Sequence, residues 1–214
     1  MPTLLLRLAA PLQSWGSSSK FEIRGTEKMP TKSGVVGMLA AASGMGRDVE
    51  LSRLDALKFG VRADREGEDI TDFHMAHSEK SSYLTYRHYL ADAVFLAGVE
   101  GSRDFLEELE NALYHPRFPL FLGRRSCPPT LPLVVGIRDL PLEDALCREK
   151  PLDEKHESML RIQVETDWPD AGMIQDVPVS FNPVRRVYGY RRFREFFADF
   201  SQNETGHDAM MELG

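Results

Sequence analysis

Cysteine is scarce in this 214-residue chain: Cys127 and Cys147 are its only two. Two cysteines build neither a disulfide framework nor a cysteine-rich zinc site. Long apolar runs are missing too. The longest candidate, residues 35–42, contains Gly37 and falls far short of the ~18 consecutive apolar residues a membrane helix needs. The opening Met1-Pro2-Thr3-Leu4 has no basic stretch ahead of an apolar core, so no secretory signal is expected. Together these absences predict a reduced, cytoplasmic chain with no membrane contact. Gly-x-Ser-x-Gly, P-loop and dinucleotide-binding fingerprints are absent as well. So is an excess of positive charge: 26 Lys+Arg stand against 33 Asp+Glu, a formal net of -7. A nucleic-acid module is more often strongly basic, so only segregation of the basic residues would keep that reading open.

They are segregated. Arg185, Arg186, Arg191, Arg192 and Arg194 crowd one stretch with no acid before Glu195, and Arg124-Arg125 follow Gly123. The acids gather elsewhere, at Glu107, Glu108 and Glu110, at residues 64–69, and at residues 153–157. The 42% hydrophobic and 28% charged fractions are those of a globular chain with a core of its own.

Leu4, Leu5, Leu6 and Leu8 form a short apolar run closed by Pro11, which predicts a buried first strand. Residues 11–30, rich in Ser, Gly and charge, read as a long loop, and loops of that length in a compact domain are commonly functional. Pro30 followed by Thr31 or Ser33 as N-cap predicts a helix to about Ser43, with Gly34 and Gly37 marking a close approach. Leu57, Phe59, Val61 and Ala63 alternate with polar or small residues and predict a half-buried strand. Residues 70–90, dense in aromatics and histidines, predict an exposed hairpin. A strand over 91–99, a helix from Ser102 to about Tyr114 and a strand over 131–137 follow. Strand, helix, strand, insertion, strand, helix, strand is an α+β, ferredoxin-like (RRM-like) βαββαβ plan over 1–137, with the insertion as a thumb hairpin at about 66–90. A short helix (141–148) and strands over 159–165, 177–181 and 184–190 predict a small β-rich C-terminal portion over 138–214.

Three signals carry chemistry. Lys32, Ser33 and Gly34 sit at a helix start, where free N–H groups and a positive dipole end attract anions; an ordinary capped helix is the plainer reading. Gly123, Arg124, Arg125 and Ser126 combine backbone that approaches an oxyanion with planar guanidiniums; a solvated surface turn is the alternative. Tyr83, Tyr86, Arg87, His88 and Tyr89, with Trp15, Phe21 and Arg24 from the first loop, mix stacking faces with cations in the way single-stranded RNA requires, unless the rings fold back on the sheet. His74, His77 and Asp72 match no metal spacing, since a strand sends the two histidines to opposite faces; no metal and no cofactor is expected. His88 as base with Lys80 or Arg87 stabilising charge would suffice for a metal-free ribonuclease. Cys127 reads as a buried structural thiol.

The stretches Leu4-Leu-Leu-Arg-Leu-Ala-Ala-Pro-Leu-Gln-Ser-Trp-Gly16, Pro30-Thr-Lys-Ser-Gly-Val-Val-Gly37 and Phe121-Leu-Gly-Arg-Arg-Ser-Cys-Pro128 resemble, in order, the CRISPR-associated protein five family of the RAMP superfamily. The resemblance implies a subunit capping one end of a surveillance complex, Cascade, in antiviral defence. Such a subunit holds the 5′ handle of the crRNA, contacts a neighbouring backbone subunit and the large subunit, and meets target DNA only through the complex. In type I-E systems, whose wording the motifs resemble, it binds without cutting. In type I-C systems a relative is a metal-independent endoribonuclease, for which Tyr86, His88 and Lys80 would be the residues here. The binding reading assigns the handle to Gln13, Trp15, Arg24, Lys32, Ser33, Gly34, Tyr86, Arg87, Gly123, Arg124, Arg125 and Ser126. A protein–protein adaptor with no RNA contact is the third alternative.

Overall fold

The computed structural model describes residues 1–16, 23–49, 51–77, 82–154, 157–182 and 184–201. Its elements run β1 (Thr3–Ala9), β2 (Leu12–Gln13), β3 (Ile23–Arg24), α1 (Lys32–Ala42), α2 (Ser52–Asp55), β4 (Lys58–Arg65), β5 (Glu68–His77), β6 (Ser82–Ala91), β7 (Val94–Glu100), α3 (Arg103–Tyr114), β8 (Val134–Arg138), α4 (Leu142–Arg148), β9 (Met159–Glu165), β10 (Gly172–Ser180) and β11 (Val187–Asp199). No helix among the described residues is long and apolar enough to cross a membrane.

A seven-stranded sheet in the order β10-β11-β9-β4-β7-β1-β8 organises the molecule, and every pairing in it is antiparallel. The continuous leucine run of β1 is explained by cover on both faces of this sheet. Leu4, Leu6 and Leu8 join the larger core beside α1 and α3, whereas Leu5 joins Leu96, Leu142, Leu146, Ile162 and Val164 beneath α4 on the other face. All four β1 leucines are fully buried, worth roughly 1.5–3 kcal/mol each. Helix α3 buries Leu106, Leu109 and Leu113 and turns Glu107 and Glu108 outward.

Helix α1 is capped by Thr31, whose hydroxyl accepts from the Gly34 N–H at 3.2 Å. Ser102 occupies the N-cap position of α3 but makes no side-chain capping bond. The C-terminal strands differ from the sequence reading in extent: β10 begins at Gly172 rather than 177, and β11 runs on to Asp199 rather than stopping at 190. The reason is edge-to-edge pairing that no local pattern records. β9 adds to β4 at Gly60–Ala63, and β11 lines the whole of β9. The β-rich C-terminal portion therefore extends the same sheet. A buried ion pair ties this junction: the Arg62 guanidinium donates to Asp64 at 2.6 and 2.9 Å and to the carbonyls of Leu146, Glu149 and Lys150.

The insertion is a second, smaller sheet. β5 and β6 form a hairpin registered from Glu68↔Ala91 to His77↔Ser82. The opposite edge of β6 takes β2 at Ala91 and Leu90 and, in parallel, β3 at Tyr86 and Arg87. The first loop is thus partly ordered by the hairpin, which the Ser- and Gly-rich composition of 11–30 does not announce. Lys80 and Phe21 lie outside the described residues.

Candidate nucleic-acid interface

Three segments far apart in sequence meet around an open cleft of about 340 Å³, lined by Ser14, Gly16, Arg24, Gly25, Gly123, Arg124 and Arg186. Three of its seven lining residues are arginines and none is acidic, so an anion entering it meets positive charge on several sides. Backbone pairing builds it. The Ser14 N–H donates to the Leu122 carbonyl at 3.2 Å, and Trp15 bridges to Glu27, closing the first loop on itself. Gly123, at φ +83°, brings the glycine-basic loop against that turn. A Cβ there would lie 1.6 Å from the Ser14 carbonyl oxygen, so only glycine is accommodated.

Arg124 locks the arrangement. Its Nη1 donates to the His88 carbonyl at 3.1 Å and its Nη2 to the Arg24 and Gly25 carbonyls at 2.7 and 3.2 Å. Its guanidinium also lies 4.6 Å from the Tyr89 ring centroid. One side chain therefore joins the thumb, the first loop and the glycine-basic loop while keeping a charge at the cleft wall. Arg24 is exposed in β3 and stands in register beside Arg87 of β6, so the two cations share one face of the small sheet. On the opposite face Ile23, Tyr86 and Phe73 align, with Tyr86 and Phe73 edge-to-face at 5.3 Å. Arg125 and Ser126 are exposed next to the cleft.

Several residues assigned to ligand contact by sequence are placed elsewhere. Gln13 is fully buried and donates to the carbonyls of Leu8 and Ala93. Its side-chain oxygen accepts from the Trp15 indole N–H at 3.2 Å. Trp15 is 1% exposed and packs on α1 at Gly34, where a Cβ would sit 2.8 Å from the ring; this is the close approach that Gly34 marks. Its ring offers no face to a base. Lys32 is 2% exposed, and its ammonium is taken by Glu165 at 2.9 and 3.2 Å and by the Asp55 carbonyl. The anion position at the α1 start is filled from within: Asp176 accepts from the Lys32 backbone N–H at 2.8 Å and pairs with Arg191 at 2.7 and 2.9 Å. Ser33 sits at that same filled helix end, its hydroxyl 3.4 Å from that of Thr31.

The arginine cluster is divided by strand alternation. Arg191 points inward to Asp176, and Arg194 pairs with Glu143 on the other face. Arg186, just before β11, is the member that reaches the cleft, together with Ser14, Gly16 and Gly25; the absence of acids around residues 185–194 was the signal for it. In the thumb, His88 Nδ1 lies 3.0 Å from the Thr71 hydroxyl, on the same face of β6 as Tyr86. His74 bonds Asp72 at 2.6 Å and His77 bonds Ser82 at 2.7 Å. Among the described residues no His, Cys, Asp and Glu gather in a metal-holding group. Cys127 is buried, and that burial, more than the opposing effects of Ser126 and Arg124, pushes its thiol up from its ordinary range.

Residues 3–194 match the family described as CRISPR-associated protein (Cas_Cas5). A relative, "CRISPR system Cascade subunit CasD" of Escherichia coli (strain K12), is 36% identical over 157 residues, covering 62% of this chain and 70% of the relative. A solved structure described as "Crystal structure of Cas protein" is 41% identical with a TM-score of 0.75, covering 94% of this chain and 96% of its own. A chain of a "CRISPR RNA-guided surveillance complex" is 34% identical with a TM-score of 0.81, covering 92% of this chain and 90% of its own.

Proposed function

This chain belongs to the CRISPR-associated protein five family, and from that premise we propose that it is a non-catalytic subunit of a Cascade-type surveillance complex that grips the 5′ handle of the crRNA. The observation that carries the reading is the arginine-lined cleft, where Arg24, Arg124 and Arg186 converge from three parts of the chain without an opposing carboxylate in the lining. Handle phosphates enter this cleft, with Arg87 and Arg125 at its margins. The thumb presents Tyr86 and Phe73, with Ile23 of β3 beside them, toward the strand where handle meets spacer. The order β8-β1-β7-β4 with crossovers through α1 and α3 is the order a ferredoxin-like βαββαβ chain produces, which supports that fold plan for 1–137. Other parts of the surface serve the neighbouring backbone subunit and the large subunit, with target DNA reached through the complex.

The test is filter retention of labelled repeat RNA in chelator, across a salt series. Wild-type protein should retain RNA intact. The Arg24→Ala/Arg186→Ala pair should weaken retention and flatten the dependence of log K on log salt by roughly 1.4, at about 0.7 for each single-strand phosphate left without its arginine. An unchanged slope would remove the cleft as the phosphate site. Cutting without metal would move the assignment to the endoribonuclease reading and to Tyr86 and His88.

A further inference from the structure

Strand β11 carries a second surface that the cleft does not use. Its pairing is regular with β9 from Phe193↔Glu165 to Asp199↔Met159 and with β10 from Gly172↔Phe193 to Ile174↔Arg191, so its side chains alternate between faces from Arg191 onward. Arg191 marks one face, buried against Asp176 and Phe59. Phe196 and Ala198 mark the other, packed beneath α4. Arg192 and Arg194 therefore lie on the α4 side, and Tyr190, next before the inward-pointing Arg191, continues their row. Tyr190 is 63% exposed, and Arg192, also exposed, has no carboxylate partner among the described residues. Met173, 60% exposed, stands in register with Arg192.

Trp168 completes the row. The Arg194 guanidinium lies 5.0 Å from its ring centroid while also pairing with Glu143, so the indole is held by a side chain that is itself fixed. The ring nonetheless stays 61% exposed and borders a cleft of about 400 Å³ running from Trp168 to Gly172 and across Phe193–Glu195. Asp170 and Glu195 line that cleft, which makes it unfit for a phosphate and suited to a base edge carrying amino donors. Exposed aromatic rings alternating with an uncompensated guanidinium on a sheet face are what unstacked bases and their phosphates need together. A duplex offers phosphates but no free base faces, since its bases are stacked and paired.

We propose that the α4-side face of β11, with Tyr190, Arg192 and Trp168 at its centre, is a second binding surface for single-stranded nucleic acid, separate from the arginine-lined cleft. The strand's phosphates follow Arg192, and its bases stack on Tyr190 and Trp168.

The test uses the full chain with fluorescein-labelled single-stranded RNA and DNA, short (about 8 nucleotides) and long (about 24), and a duplex control. Tyr190→Ala/Arg192→Ala should bind the long strand about tenfold more weakly, leave the short strand held by the cleft nearly unchanged, and melt at the wild-type temperature. Tyr190→Phe, which keeps the ring, should bind as wild type. Arg24→Ala/Arg186→Ala should weaken both lengths, so failure of the cleft and failure of this surface are read separately. A long strand bearing 5-iodouracil should photocrosslink to the wild-type peptide containing Tyr190 or Trp168. The RNA and DNA arms show which kind of strand lies there. Equal affinity of Tyr190→Ala/Arg192→Ala for the long strand, no crosslink at either ring, or crosslinking of the face to a protein subunit in the assembled complex would each overturn the proposal.

Discussion

The start of α1 and the Gly123–Arg125 loop look alike as sequence and opposite as structure. Each sets glycine beside cations next to Ser or Thr, the outline of a phosphate site. At α1 the anion is already present: Asp176 takes the Lys32 N–H, Glu165 takes the Lys32 ammonium, and Arg191 closes the network. At the loop Arg124 holds carbonyls and a ring, not carboxylates, and Arg125 is exposed, so charge remains for a ligand. A guanidinium with neutral partners still presents its field, whereas one matched to a carboxylate presents almost none. Glycine-and-cation spacing shows that backbone and charge are brought together; whether an internal acid gets there first depends on the rest of the chain.

The sharpest way to break the contrast is Gly123→Ala. The new Cβ would overlap the Ser14 carbonyl, and the φ of +83° adds strain for any L side chain. A loss of roughly 2–6 kcal/mol is expected from overlap and strain together, read as a lower Tm, with loss of handle binding in the protein that remains folded. Next comes Asp176→Ala. It strands the buried Arg191 and uncaps the first N–H of α1, and removing one partner of such a pair costs about 3–5 kcal/mol. Here the folded fraction should keep its RNA affinity and its salt slope. If affinity fell as steeply as stability, the α1 start would be part of the site and the contrast would fail.

This division explains which parts of the molecule were readable in advance. Thr3–Ala9, α1, α3 and the exposed hairpin were legible because apolar period, capping residues and aromatic density are local signals. The exit of Gln13, Trp15 and Lys32 from the site was not legible. All three are of types that serve ligands, and only the packing of Trp15 on Gly34 and of Glu165 on Lys32 consumes them. Their acidic and carbonyl partners lie as many as 144 positions away. Likewise, five arginines within residues 185–194 read as one patch, yet strand alternation sends Arg191 inward and leaves Arg192 outside, and neither fate appears in composition. Arg186 joins the cleft only because β11 extends the sheet from β9, a pairing set by the chain's far end.

The smallest effect concerns Glu27, which sits between the two regions. Its backbone N–H bonds the Trp15 carbonyl at 2.8 Å, while burial and then the Asp176 carboxylate raise its side-chain pKa above the ordinary carboxylate value. A raised carboxyl binds its proton more tightly folded than unfolded. The native state is therefore favoured as pH falls through the raised value and loses that advantage as pH rises through it. Glu27→Gln removes a charge that burial and Asp176 oppose, so it should raise Tm slightly at pH 8 and lose that advantage as pH falls through the raised value. Because part of the opposition comes from Asp176, the gain should shrink in an Asp176→Asn background, a coupling that a double-mutant cycle measures. Full additivity of the two changes would mean that the anion held at α1 does not reach Glu27, and that the filled site and the open cleft are electrostatically independent.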